Sequence, residues 1–248
     1  MAWYKNFFHG LAQQAWKDAQ TEEQTELEAD FLYDVLELEP GRQVLDVFCG
    51  YGRHALDLAD RGCSVTGVDI APDYTDELRT QAQRRGLPIE TVTGDFLTVS
   101  LAGDYDAAYC FGNSLSFFPH EQMLTFLQKI ADGLRPGGLF AADTGMIAES
   151  VLPDFQERGW MQIGDITMLM ENSYDATQSC VESHLTYLHN GKTEHRTARH
   201  YLFTVAHLRA LFAQAGFTIT ELYSDLEGSD FTLGDDRLLL VAKKDNAV

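Results

Sequence analysis

One stretch limits the fold of this chain more than any other: an apolar segment that leads into an acid and then a glycine turn. Val44–Val47 has the composition of a buried strand and contains Asp46, and Gly50 and Gly52 follow it closely. Seventeen residues after Gly52, a second apolar run ends on another acid, Asp69. Two carboxylates at strand ends, beside a glycine-rich turn, predict a nucleoside-binding edge of an α/β sheet.

Charge helps to decide which nucleoside this edge binds. Gly50, Gly52 and Ala55 fit the G-x-G-x-x-G/A spacing of dinucleotide sites, and Asp69 lies about where such sites hold the ribose. A dinucleotide, however, places a doubly charged pyrophosphate over the turn, and the carboxylate of Asp46 would repel it. A nucleoside that carries a sulfonium and an ammonium would be attracted instead. We therefore expect a cationic nucleoside, with an NAD-dependent oxidoreductase as an alternative.

At these residues the chain resembles the class I S-adenosylmethionine-dependent methyltransferases, whose first motif reads (D/E)-x-G-x-G-x-G. Asp46 to Gly52 follows this motif, except that Phe48 replaces the first glycine and must turn its ring away from the methionine part of the ligand. The resemblance implies a Rossmann-like, mostly parallel seven-stranded sheet with a C-terminal antiparallel hairpin and helices on both faces. It implies S-adenosylmethionine as cofactor and S-adenosylhomocysteine as product.

The resemblance also implies roles for residues at successive strand ends. Asp46 and Gly50 would hold the methionine end of the cofactor, Asp69 the ribose, and Asp95 with Phe96 the adenine. His54 is expected to frame the cofactor carboxylate with Arg53, or simply to cap the region. The full set of cofactor-binding residues implied in this way is Asp46, Phe48, Gly50, Gly52, Arg53, Asp69, Ile70, Gly94, Asp95, Phe96, Phe111 and Gly112.

The apolar pattern predicts alternating strands and helices, which is typical of a parallel sheet covered on both faces. Predicted helices are 22–38, a helix from near Pro72 to Leu87, 123–134 and 208–215. Further predicted strands are 88–93, 105–111, a fifth strand after the Arg135–Phe140 corner, 217–222 and 237–242. The whole chain, 1–248, is expected to form one methyltransferase domain.

Residues 146–204 interrupt the alternation. They contain three strand-like runs, 166–170, 180–188 and 193–203, and Asn190-Gly191 between the last two is a hairpin signal. We expect three antiparallel strands inserted after the fifth core strand, as a small flap near the substrate site. Such an insertion would lie at the carboxyl edge of the sheet, where open α/β sheets bind ligands.

The N-terminal segment, residues 1–20, is expected to act as an aromatic lid, although packing on the sheet edge or on a partner subunit explains its rings equally well. Candidate substrate-binding residues are Trp3, Tyr4, Phe7, Phe8, Asn113 and Trp160. Methyl transfer depends mainly on alignment, and it needs a base only when the acceptor starts protonated. The catalytic residue is therefore left open, with Asn113, His9 and His200 as candidates and His195 as a further histidine of the insertion.

Composition excludes several classes of protein. A net charge of −20 disfavours nucleic acid and anionic membrane surfaces as partners. The 4 cysteines lack paired spacing, and no signal peptide or membrane span is evident, so we expect reduced core thiols, no metal and a cytoplasmic location. The predicted function is methyl transfer to a small-molecule acceptor by a monomer or homodimer. A non-catalytic protein that binds or senses the cofactor is the second alternative.

Overall fold

A computed structural model describes residues 2–246, in which helices and strands alternate along most of the chain. The helices are α1 (Gly10–Asp18), α2 (Glu22–Val35), α3 (Arg53–Asp60), α4 (Pro72–Arg85), α5 (His120–Gly133), α6 (Ala148–Val151) and α7 (Val205–Gln214). The strands are β1 (Gln43–Val47), β2 (Ser64–Asp69), β3 (Ile89–Thr93), β4 (Tyr105–Cys110), β5 (Leu134–Thr144), β6 (Arg158–Ile163), β7 (Ile166–Asp175), β8 (Cys180–His189), β9 (Lys192–Tyr201), β10 (Phe217–Tyr223) and β11 (Leu238–Lys244).

Within residues 2–246, seven strands form the central sheet in the order β10-β11-β5-β4-β1-β2-β3. The pairs among β1 to β5 are parallel, whereas β11 is antiparallel to both β5 and β10. The predicted Rossmann-like sheet with a C-terminal antiparallel hairpin is therefore confirmed. The strand order reverses between β1 and β4, and this switch point opens a crevice at their carboxyl ends.

Apolar side chains cover both faces of the central sheet. On one face, Phe126 of α5 and Phe212 of α7 are fully buried together with Phe140 of β5. On the other face, the buried cluster includes Leu58 of α3 and Leu78 of α4. Each fully buried side chain of this kind contributes roughly 1.5–3 kcal/mol. The sheet is thus a rigid platform for the residues at its carboxyl edge.

Local sequence signals account for several helix ends. The Thr21 hydroxyl accepts a hydrogen bond of 3.1 Å from the backbone N–H of Gln24 at the start of α2. Thr204 caps α7 in the same way, because its hydroxyl accepts a 3.1 Å bond from the N–H of His207. Such caps satisfy N–H groups that have no partner within the helix. None of the helices in the described residues is long and apolar enough to cross a membrane.

The insertion forms a separate antiparallel sheet in the order β6-β7-β8-β9, and the Asn190-Gly191 turn joins its last two strands. An antiparallel insertion is therefore confirmed, but the prediction of three strands is wrong. The missed strand is β6, an edge strand. Its residues are exposed or only partly buried, so it lacks the alternation of apolar and polar residues by which strands are recognised.

The N-terminal segment also differs from expectation, because Gly10–Asp18 folds as helix α1. The small apolar residues of α1, such as Ala12 and Ala15, pack on Ile166 and Tyr187 of the insertion sheet. No side chain caps the start of α1, and its first residue is Gly10, so the sequence carries no clear signal for the start of this helix. As a result, α1 lies between the insertion and the carboxyl edge of the central sheet.

Candidate cofactor and acceptor site

The glycine turn after β1 brings backbone close to neighbouring side chains. Gly50 and Gly52 have φ angles of 54° and 83°, in the left-handed region that favours glycine. A Cβ atom on Gly52 would collide with the side chain of Leu78 on α4. The glycines therefore allow α3 to start directly below the carboxyl edge of β1.

Phe48 occupies the first glycine position of the motif and has a φ of 63°. This conformation is strained for a bulky residue, by about 1–3 kcal/mol. Its ring stacks on Phe126 with centroids 5.7 Å apart and meets the Phe96 ring edge-on at 5.8 Å. Packing within this aromatic cluster explains how the chain accommodates a phenylalanine at this turn, where the ring also borders the cleft described below.

Asp69, at the end of β2, is hydrogen-bonded to the glycine turn that follows β1. Its Oδ2 accepts a bond of 2.9 Å from the N–H of Gly50, and its Oδ1 accepts one of 2.8 Å from the N–H of Ala71. Burial raises the pKa of Asp69, while these backbone donors oppose that rise. The carboxylate thus shapes the turn and also borders the cleft.

Asp46 on β1 is 3% exposed. Burial raises its pKa to about 7, the nearby Tyr109 hydroxyl opposes the rise, and the nearby charge of Asp69 adds to it. A buried carboxylate in this environment gains from a cationic neighbour. The residues present therefore fit a ligand with a sulfonium and an ammonium, and they are unfavourable for a pyrophosphate.

A buried ionic network lies behind the turn and was not predicted. Glu28 of α2 pairs with Arg53, contacts His54 Nε2 at 2.9 Å and accepts a 2.8 Å bond from Arg237. Although burial raises the pKa of Glu28, the hydrogen bond with His54 and the charges of Arg53 and Arg237 hold it well below its usual range. Glu28 thereby anchors Arg53 beside the glycine turn.

Asp143 of β5 fixes the end of β4 and was also missed. Its Oδ1 accepts hydrogen bonds from the backbone N–H groups of Gly112, at 2.6 Å, and Asn113, at 3.2 Å. Its Oδ2 accepts one of 3.0 Å from Arg237. The side-chain oxygen of Asn113 accepts a further bond of 2.9 Å from the N–H of Gly145. An acid within the apolar run of β5 was the sequence signal for this role.

Two spaces meet at Gly112. The first is a narrow cleft along the carboxyl edge of the sheet, bordered by Gly50, Asp69 and Asp95. The second is a cavity of ≈ 480 Å³ between the N-terminal segment and the insertion sheet. The residues that border both spaces are Phe8, Trp16, Gly112 and Phe117.

The structure brings most of the expected cofactor residues to the cleft. Phe48, Gly50, Asp69, Ile70, Asp95, Phe96, Phe111 and Gly112 border its main part. Asp46 and Arg53 border an adjoining recess at the glycine turn, together with His54. Gly52 and Gly94 border neither part, and they shape the turns that follow β1 and β3.

The expected acceptor residues are divided between several places. Trp3, Phe7, Phe8, Asn113 and His200 border the cavity. Tyr4 borders the cofactor cleft instead, where its ring stacks on Phe117. The Trp160 side chain does not reach the cavity, because it is 69% exposed on the edge strand β6. His9 and His195 lie outside the cavity as well, bonded to Arg196 at 2.9 Å and Thr186 at 3.0 Å.

The N-terminal segment is tied down on both sides of the site. Lys5 forms an ion pair of 2.7 Å with Asp95 in the cofactor cleft. On the other side, the N–H of Leu11 donates a bond of 3.1 Å to Glu194 of the insertion sheet. Tyr74 donates a further bond of 2.9 Å to the carbonyl of Gln13. The segment therefore covers the region where the cleft and the cavity meet.

Burial also governs the two ionisable rings of the cavity. It lowers the pKa of His200 to about 4 and raises the pKa of Tyr187 to about 12. Both rings are therefore neutral near pH 7. In the described part of the chain, no group of three or more His, Cys, Asp and Glu residues is arranged to hold a metal ion.

Comparisons with known proteins show similarity to methyltransferases. A family model described as a methyltransferase domain matches residues 44–138. The S-adenosyl-L-methionine-dependent Diels-Alderase iccD of Talaromyces variabilis is 33% identical over 43% of this chain, but the match covers only 37% of that protein. A dTDP-3-amino-3,6-dideoxy-alpha-D-glucopyranose N,N-dimethyltransferase of Streptomyces fradiae is 25% identical over 71% of this chain and 70% of its own length.

Similarity in fold extends over nearly the whole chain. The CcbJ methyltransferase from Streptomyces caelestis superposes with a TM-score of 0.82 at 19% sequence identity, covering 98% of this chain and 99% of CcbJ. The chain therefore contains a methyltransferase domain over residues 44–138, and its seven-stranded sheet has the fold of methyltransferases over nearly its whole length.

Proposed function

We propose that this protein transfers a methyl group from S-adenosylmethionine to a small-molecule acceptor. The observation that carries the proposal is the meeting of the cofactor cleft and the ≈ 480 Å³ cavity at Gly112. Cavities of about 300–1,000 Å³ are typical sites for small organic molecules. The cofactor supplies an electrophilic methyl group on a sulfonium, and its departure leaves S-adenosylhomocysteine.

Each end of the cleft suits a different part of this cofactor. Asp46 and Gly50 are proposed to hold the cationic methionine end, and Asp69 the ribose hydroxyls. Asp95 and Phe96 are proposed to hold the adenine. The support is that Asp46 lies in the recess at the glycine turn, whereas Asp95 and Phe96 border the main cleft beyond Asp69.

The contribution of the protein to catalysis is proposed to be alignment. Asp143 holds the backbone of Gly112, so the surface where cleft and cavity meet is rigid. Alignment of two reactants contributes up to about 7–11 kcal/mol to catalysis. Because burial keeps the pKa of His200 at about 4, this ring is a poor proton acceptor near neutral pH. The acceptor is therefore proposed to react through a free lone pair, and any proton that the product carries is released to solvent once the site opens.

Residues 1–20 are proposed to be a lid, and the insertion 146–204 the flap that faces it. The closed cleft encloses only ≈ 50 Å³, too little for a nucleoside, while Tyr4 and Phe8 cover it. The lid must therefore open to admit the cofactor and must close again to exclude water. The ion pair between Lys5 and Asp95 connects this movement to the adenine end of the cleft.

The charge of the chain and its buried cysteines bear on its partners and its location. The net charge of −20 supports an enzyme that does not bind nucleic acid. The four cysteines are buried and free in the described part of the chain, which supports a reducing, cytoplasmic location. A monomer or homodimer is proposed as the active form.

Transfer of a labelled methyl group tests the proposed function. The purified protein is incubated with S-adenosylmethionine that carries a tritiated methyl group and with pools of small amines, phenols and thiols. We expect acceptor-dependent label in an organic product together with an equal amount of S-adenosylhomocysteine. Tight binding of the cofactor without turnover across all pools would instead favour the sensing protein.

A further inference from the structure

The cavity that faces the cofactor cleft has an apolar wall. Two aromatic residues of the N-terminal segment, Phe7 and Trp16, form one side, and Leu185 of the insertion sheet lies on the other. Four of the 6 methionines of the chain also line it, namely Met146, Met161, Met168 and Met170. Thioether side chains are flexible and polarisable, so they adapt to irregular apolar ligands and contact aromatic rings favourably.

Cationic groups are missing from this wall. Among the described residues that line the cavity there is no lysine or arginine, and the one acid, Asp154, is exposed. Burial lowers the pKa of His200 to about 4, so its ring carries no charge near pH 7. An anionic ligand would lose its hydration without gaining a partner, and this is strongly unfavourable in an apolar site.

Three polar atoms in the cavity-lining residues are buried and have no hydrogen-bond partner in the described structure: Trp3 Nε1, Ser150 Oγ and His200 Nδ1. A buried polar group without a partner is unfavourable, so a ligand that supplies the missing hydrogen bond is favoured. The Trp3 and His200 rings lie 5.4 Å apart, and both pack on Phe117, which borders the cofactor cleft. A ligand with one polar group near these rings would meet donors and acceptors close to the cofactor.

Resting on the methyl transfer proposed above, we propose that the acceptor is an uncharged, ring-bearing, largely apolar molecule with one polar group beside Trp3 and His200. Molecules that carry phosphate are excluded. In this respect the chain differs from the nucleotide-sugar dimethyltransferase of Streptomyces fradiae, whose acceptor carries a diphosphate. The methionines accommodate the apolar body, and the unpaired polar atoms orient the single polar group.

Binding of two matched probes tests this proposal. The neutral dye Nile red reports occupancy of the cavity by fluorescence in the presence of saturating S-adenosylhomocysteine, and 2-naphthol or 2-naphthyl phosphate competes with it. The two competitors share one ring system and differ by a phosphate. We expect 2-naphthol to displace the dye at concentrations at least tenfold lower than 2-naphthyl phosphate. Equal displacement, or a preference for the phosphate, would overturn the proposal.

Adjacent residues on β7 provide matched variants. Met170 lines the cavity, whereas Leu169 points to the other face of the sheet and is 40% exposed. Met170→Arg is expected to weaken Nile red binding at least tenfold and to reduce the preference for 2-naphthol, while Leu169→Arg changes neither. Equal effects of both substitutions would contradict the location of the site.

A separate titration with S-adenosylhomocysteine alone keeps the two proposals distinguishable. If S-adenosylhomocysteine does not bind the wild-type protein, the proposed function fails whatever the dye does. If S-adenosylhomocysteine binds but Nile red does not, the proposed class of acceptor is wrong. The same holds if 2-naphthyl phosphate is preferred to 2-naphthol. In either case the proposed methyl donor is unaffected.

Discussion

Asp143 and Gly112 come from neighbouring strands, and the Oδ1 atom of Asp143 accepts a hydrogen bond of 2.6 Å from the N–H of Gly112. Gly112 has a φ of 103° and borders both the cofactor cleft and the acceptor cavity. Trp16 lies close on the other side, since a Cβ atom on Gly112 would be 3.6 Å from its ring. The backbone at this junction is therefore held on one side by the Asp143 carboxylate and covered on the other by the N-terminal segment.

Asp143→Ala is expected to reduce kcat more than tenfold, with a smaller effect on the affinity for S-adenosylmethionine. Its removal leaves the N–H groups of Gly112 and Asn113 without their acceptor and loosens the alignment at the junction. Asp143→Asn retains an acceptor oxygen and should recover part of kcat. Steady-state kinetics and thermal unfolding of both variants check this, with Asp132→Ala on the exposed side of α5 as the control. If Asp143→Ala and Asp143→Asn lost equal stability while kcat stayed unchanged, the role of Asp143 would be purely structural.

Asp46→Asn is expected to stabilise the empty protein at alkaline pH. Because burial raises the pKa of Asp46 from 3.8 to about 7, the native state binds more protons than the unfolded state between these values. The contribution of Asp46 to the free energy of unfolding therefore falls as pH rises through this window, by up to about 4 kcal/mol. Thermal unfolding at pH 5 and pH 8 should show a larger gain of the variant at pH 8 than at pH 5.

The same substitution should weaken the cofactor more than its product. S-adenosylmethionine carries a sulfonium that S-adenosylhomocysteine lacks, so removal of the Asp46 charge should lower the affinity ratio between the two. Isothermal titration calorimetry at pH 8 measures both affinities, and Asp165→Asn in the exposed β6–β7 turn serves as the control. An unchanged ratio would place the Asp46 carboxylate away from the sulfonium.

Glu28→Gln is expected to destabilise the fold by about 3–5 kcal/mol, because it leaves the charge of Arg53 without its buried partner and leaves Arg237 with Asp143 alone. The pKa of Glu28 lies below its usual range, so its stabilising contribution is complete above pH 4.5 and is lost as pH falls further. Urea unfolding at pH 7 and pH 4 should show a smaller difference between wild type and variant at the lower pH. Glu26→Gln, on the exposed side of α2, should be as stable as wild type at both pH values.

Lys5→Gln is expected to accelerate dissociation of S-adenosylhomocysteine several-fold. The substitution removes the ion pair with Asp95 that holds the N-terminal segment over the cleft. Stability should change little, since half-exposed ion pairs contribute only about 0–1 kcal/mol. Stopped-flow displacement measures the rate, and Lys192→Gln at the exposed start of β9 is the control. Unchanged dissociation in Lys5→Gln would mean that this segment does not gate the cofactor.

The alternation of apolar strands and helices was sufficient to predict a parallel sheet, whereas its seven strands and C-terminal antiparallel hairpin were implied by the resemblance to the methyltransferases. Asp46, Asp69 and Asp95 lie at or next to the ends of three strands and mark the carboxyl edge in the sequence itself. Their carboxylates converge because parallel strands end at one edge. The same reasoning identified Gly112 and Asn113 from the end of β4, and the structure places both where cleft and cavity meet.

Other features depend on contacts between distant segments and left no local pattern. Glu28 lies on the exposed-looking helix α2 and becomes buried only because Arg53 and Arg237 converge on it. Helix α1 is short and starts at a glycine, and its small residues are buried by packing on the insertion sheet. Trp160 was expected at the substrate site because of its aromatic ring, but its side chain is exposed to solvent on the edge strand β6.

The identity of the methyl donor is the central claim, and calorimetric titration of the purified protein tests it most directly. S-adenosylmethionine, S-adenosylhomocysteine and NADH are titrated separately into wild type and Asp69→Ala. We predict one-to-one binding of the first two ligands, no binding of NADH, and a loss in the variant of roughly 1.5–3 kcal/mol from the charged acceptor of the ribose hydroxyls. Binding of NADH with no response to either sulfur nucleoside would contradict the account.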